Sequence, residues 1–68
     1  MDAGHDAAER LAAYEAFAGQ ARLELAQTTS RMDALRAEGK VKSATYRQLF
    51  ALRSILREID RRLSEHGL

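Results

Sequence analysis

Histidines, serines and carboxylates are the side chains of this sequence that could carry acid–base, nucleophilic or metal chemistry, and their spacing decides what they can do. His5 and His66 lie near opposite ends of the chain. Ser64 and His66 stand two residues apart, which places them on different faces of a helix. Ser30, Ser43 and Ser54 have no histidine–acid pair near them in sequence. Metal sets can be assembled from His66 with Glu65, or from His5 with Asp2 and Asp6, but a metal site needs three or four converging ligands, and chain ends do not hold them. There is no cysteine, Gly-rich phosphate loop, HExxH pair or EF-hand loop. Most carboxylates have a base three or four residues away: Glu58 precedes Arg61 and Arg62, and Arg61 precedes Glu65. That is the pattern of surface helix pairs. The expectation is a chain that is not an enzyme, with no cofactor, no bound metal and no small-molecule substrate.

The arginines are the remaining chemistry. The stretch LRSILREIDRRL (52–63) carries four of them. Steps of four residues bring Arg53, Arg57 and Arg61 into one lengthwise strip, a mildly unfavourable arrangement that invites a reason. Two readings follow. In the first, Tyr46, Arg47, Phe50, Arg53 and Arg57 form a surface that binds another protein. In the alternative, Lys40, Lys42, Arg53, Arg57 and Arg61 contact successive phosphates of a nucleic acid, with aromatic stacking from Tyr46 and Phe50. The net charge of +1 favours the first, since nucleic-acid-binding domains carry a clear basic excess. Residues 1–37 hold six acids and four bases, and residues 38–68 hold four acids and seven bases. Opposite signs suit two halves lying against each other.

Those side chains must be positioned by helices. Thirteen alanines, no proline and abundant leucine, arginine and glutamate predict an almost wholly helical single domain over 1–68. The first helix is expected over about 7–37, opened by an Asp6–Glu9 capping box and closed at Gly39 with Arg36 in the last turn. A turn over 38–43 follows, with Val41 folded back over Leu35. The second helix is expected over about 44–66, with Ser43 as N-cap and Gly67 as the stop. A connection this short forces an antiparallel hairpin.

A 3–4 apolar spacing marks the seam: Ala7, Leu11, Tyr14, Ala18, Ala21, Leu25, Thr28, Met32 and Leu35 on the first helix, and Thr45, Leu49, Leu52, Leu56, Ile59, Leu63 and His66 on the second. Met32 opposite Leu49 and Leu25 opposite Leu56 put Arg22 and Asp60 on one flank as an ion pair. The register leaves Leu11 and Tyr14 at or beyond the end of the second helix. A second stripe, Ala12, Ala16, Gly19, Leu23 and Ala26, runs along the back of the first helix, with Phe17 on a flank. A helix apolar on two sides is buried on two sides. These six residues are therefore expected to mediate self-association, with Gly19 marking a close approach. The fold class is all-α: a coiled-coil-like antiparallel hairpin dimerising into a four-helix bundle. The partners expected are a second copy, another protein and, in the alternative reading, a nucleic acid. No apolar run approaches the ~20 residues of a membrane span, and the segment MDAGHDAAER has neither the basic region nor the apolar core of a secretory signal. The alanine and arginine usage suits a bacterial protein and the location expected is cytoplasmic.

Overall fold

A computed structural model describes the backbone of residues 3–68 and the side chains of residues 6–68. Two helices, α1 (Ala3–Ala37) and α2 (Ala44–Glu65), pack side by side as an antiparallel hairpin, with no strand among the described residues. At 35 and 22 residues they measure about 52 and 33 Å, so α1 overhangs the end of α2 by roughly 20 Å.

The caps follow from local chemistry. Asp6 does not open α1, which already runs from Ala3. It lies in the first turn, where a carboxylate meets the positive end of the helix dipole, and it pairs with Arg10 at 3.5 Å. At the other end Gly39 adopts φ +74°. The Lys40 amide donates to the Leu35 carbonyl (2.8 Å) and the Gly39 amide to that of Arg36 (3.0 Å). This is a Schellman turn, and only glycine takes its left-handed position without strain. Val41 is 42% exposed and Leu35 half-buried. Ser43 caps α2: its Oγ accepts from the Tyr46 amide at 3.1 Å and donates to the Lys40 carbonyl at 2.8 Å. A second Schellman turn ends α2, with Gly67 at φ +79° and the Leu68 amide on the Leu63 carbonyl.

The interior is one thin seam. Ala18, Ala21, Thr28 and Met32 from α1 and Leu49 and Leu56 from α2 are buried, Met32 completely. Leu25, Leu35, Ile59 and Leu63 are half-buried. Ala7, Leu11, Tyr14 and His66 are exposed at the far end of the seam, and within the overlap of the two helices two further seam positions behave otherwise. Leu52 is 39% exposed and Thr45 is exposed, while Tyr46, Arg53 and Asp60 are half-buried. The helix is rolled about its axis relative to the expected seam, toward the side on which Arg22 reaches Asp60 and Arg36 reaches Tyr46. Fourteen residues separate Arg22 from Arg36 and Asp60 from Tyr46, so the antiparallel register runs between these anchors without a slip.

The result is a rod of 57 × 16 × 15 Å with a radius of gyration of 16.3 Å, where a compact domain of this length has about 11 Å. Its accessible surface is 5164 Å², against roughly 4,300 Å² for a compact monomer of 7.6 kDa.

Leu49 and Leu52 both belong to the 3–4 repeat, but burial separates them. Leu49→Ala should cost about 2–5 kcal/mol of unfolding free energy and Leu52→Ala less than half as much, read from urea unfolding followed by helicity; equal losses would contradict the roll of α2. The glycines divide similarly. A Cβ at Gly19 meets nothing within 4 Å, so Gly19→Ala should stabilise by about 0.5–1 kcal/mol. At Gly39 the positive φ makes the same change cost about 1–2 kcal/mol.

Candidate functional site

The two sides of the hairpin differ in chemistry. One flank is polar and closed. The Arg22 guanidinium donates from Nε to Asp60 Oδ1 (2.7 Å), from Nη1 to the Leu68 carbonyl (2.6 Å) and from Nη2 to Ser64 Oγ (3.4 Å). One planar fork thus fastens the last two turns of α2 and the residue beyond them to the middle of α1. Nearer the turn, Arg36 Nη2 donates to Tyr46 Oη at 3.1 Å. The Arg22–Asp60 pair is the one its spacing predicts. At 38% exposure on each side it contributes about 1 kcal/mol or less, so its main effect is on register and roll. The contacts to Ser64 and Leu68 do not follow from that spacing. The signal for them is the Gly67–Leu68 pair after Leu63, since a Schellman turn brings the apolar residues on either side of it together.

The opposite flank is apolar and open. Tyr14, Phe17, Ile59, Arg62, Leu63, His66 and Leu68 line a groove of about 490 Å³. A shallower depression, lined by Ser54, Ile55, Glu58, Ile59 and Arg62, continues it along α2. Tyr14 is 61% exposed, Phe17 51% and Ile55 58%. The cause is the mismatch in helix length together with the roll. The seam of α1 continues past the end of α2, so Tyr14 and Leu11 stay exposed at and beyond its last turn. The roll that brings Asp60 to Arg22 turns Ile55 and Leu52 toward water. Phe17 therefore belongs with Ile59 and Leu63, not with the alanine stripe; it lies about 120° around α1 from Leu23. Among the residues of that stripe, Ala12, Ala16, Gly19, Leu23 and Ala26 are all exposed, and within one copy nothing approaches Gly19.

The outer face of α2 carries the partner-binding candidates. Phe50 is 51% exposed, and the Arg53 guanidinium lies over its ring, 5.3 Å from the centroid. Arg47 and Arg57 are exposed and have no ion-pair partner among the described residues. Tyr46 is half-buried and engaged by Arg36. The phosphate-contact candidates are less uniform. Lys40 pairs with Glu38 at 3.2 Å. Arg61 is held by both Glu58 and Glu65, and Arg62 also binds Glu58, at 2.9 Å. That leaves Lys42, Arg53 and Arg57 of the set without a carboxylate among the described residues.

Two members of one metal set, Asp2 and the side chain of His5, lie outside the described residues. In the other set Glu65 is engaged by Arg61. No group of three or more candidate ligands converges among the described residues, and no helix there is long and apolar enough to cross a membrane.

Fold and surfaces together define a small antiparallel helical hairpin with one hydrogen-bonded flank and one open apolar flank. No family model matches the chain, and neither the curated proteins nor the solved structures contain a match to it.

Hydrogen bonds from Arg61 first and Arg62 second hold the Glu58 carboxyl down to about 2. An unfolded glutamate titrates near ~4.3. A depressed value means that the contribution of these pairs is fully present above the unfolded value and is lost as pH falls toward 2. Carbon-detected NMR should find Glu58 titrating well below the ordinary carboxylate range, and Arg61→Gln should raise its midpoint. A midpoint near 4.3 in the unaltered protein would rule out the network in solution.

Proposed function

We propose that this chain is a non-catalytic protein–protein interaction module that self-associates, most simply as a homodimer forming a four-helix bundle, and offers the Tyr46–Arg47–Phe50–Arg53–Arg57 face to another protein. The observation that carries the reading is the surplus of surface. The hairpin exposes about 900 Å² more than a compact monomer of its mass. A standard interface buries about 800 Å² per partner. A seam of six buried residues, two of them alanine, is a small interior for a free-standing domain. Association supplies the missing burial. Aromatic and arginine side chains held together, as Arg53 is on Phe50, are the composition enriched at protein interfaces. The openness of both depressions and the engagement of Glu58, Asp60 and Glu65 by arginines support a role without catalysis. The composition suits a bacterial cytoplasmic setting.

A nucleic-acid role through Lys40, Lys42, Arg53, Arg57 and Arg61 is the alternative, favoured by Lys42 and Arg57, which have no ion-pair partner among the described residues, and weakened by the two carboxylates on Arg61.

Light scattering on the eluting protein should give about twice 7.6 kDa, with a mass that falls toward 7.6 kDa on dilution. A cooperatively melting monomer at micromolar concentration would overturn the reading. Retention on heparin that collapses steeply with salt, and that is lost in an Arg53, Arg57→Gln double variant, would replace the partner-protein role with the nucleic-acid one.

A further inference from the structure

We propose that the second copy docks on the open apolar flank, with Tyr14, Phe17, Ile55, Ile59 and Leu63 of one copy packed against the same flank of the other about a two-fold axis. The inference rests on the self-association reading and names its face. Two faces compete for that role. The alanine stripe offers methyl groups around a single large side chain, Leu23. The flank offers two aromatic rings and three branched side chains on contiguous ground, because both depressions share Ile59 and Arg62. Removal of apolar area from water drives association, so the larger and more continuous apolar surface is covered first.

Three features favour a copy of this chain as the occupant. The surplus of about 900 Å² over a compact monomer is of the size that one protomer gives up in a standard dimer. The flank supplies both parts of an isologous contact, with projecting rings at Tyr14 and Phe17 beside a groove floored by Ile59 and Leu63. Its rim is not of one sign: Arg62 is neutralised by Glu58 at 2.9 Å, so the flank does not repel its own image as a basic rim would. The second copy also leaves the other face free, since Phe50 lies about 180° around α2 from Ile59.

The test uses the full chain and three lysine variants at positions exposed in the single hairpin. Sedimentation velocity should show that Phe17→Lys and Ile55→Lys each weaken dimerisation by about tenfold or more, while Leu23→Lys leaves it unchanged. Helicity by circular dichroism confirms that each variant is folded. A second measurement needs no variant. On dilution of the unaltered protein the Ile55 and Ile59 methyl resonances should shift, while those of Ala16 and Ala26 stay fixed. Dimerisation that survives both flank variants but fails with Leu23→Lys, or dilution shifts confined to the alanines, would overturn this assignment and place the second copy on the stripe. A monomer in every sample would remove the self-association reading itself.

Discussion

A two-helix hairpin has one seam, and every apolar side chain that does not fit into it stays wet. That constraint organises the molecule. A bundle of three or four helices can roll each member until its whole apolar arc is covered, but here α2 has one neighbour within the chain. Six residues fill the seam. Tyr14, Phe17, Leu23, Phe50 and Ile55, each more than half exposed, lie outside it. The mismatch in length sharpens the effect, because α1 carries its seam positions beyond the point where α2 ends.

Within the seam, the arrangement is decided by polar anchors on one side. Arg22 and Arg36 each cross to α2, and both crossings lie on the same flank because fourteen residues are close to four full turns. Each contact is weak by itself, since an exposed ion pair trades hydration for attraction almost evenly. They matter because apolar packing is tolerant of small rotations, so a modest directional preference is enough to choose among rolls. The roll chosen makes Arg53 and Asp60 half-buried and leaves Leu52 partly in water. One flank is thereby sealed by hydrogen bonds and the other left apolar, which is the asymmetry on which any account of function depends.

The charges show how composition alone misleads. The sequence of α2 is rich in arginine, but its cations are not equivalent. Arg61 is held between two carboxylates, Arg62 shares one of them, and Arg53 rests on an aromatic ring. Arg57 and Arg47 face water without an ion-pair partner among the described residues. The potential around the helix is set by these pairings, and the count of arginines overstates it.

Much of the architecture is legible in the residues. Composition gives two rods, Gly39 and Ser43 place the turn and its caps, and the 3–4 spacing identifies Met32, Leu49 and Leu56 as core and Arg22 with Asp60 as a flank pair. All of these are local or periodic properties, which a chain carries with it into any fold. The Asp6–Glu9 spacing does not mark the start of α1, because a capping-box spacing can sit inside a helix that begins earlier. Periodicity fixes the angle between residues on one helix but not the angle of that helix toward its neighbour. That second angle depends on contacts such as Arg22 to Asp60, thirty-eight residues apart. Only the tertiary structure therefore decided that Leu52 leaves the seam, that Phe17 joins Ile59 instead of the alanines, and that the far end of α2 is fastened through the Leu68 carbonyl, because each follows from how one rod is turned against the other.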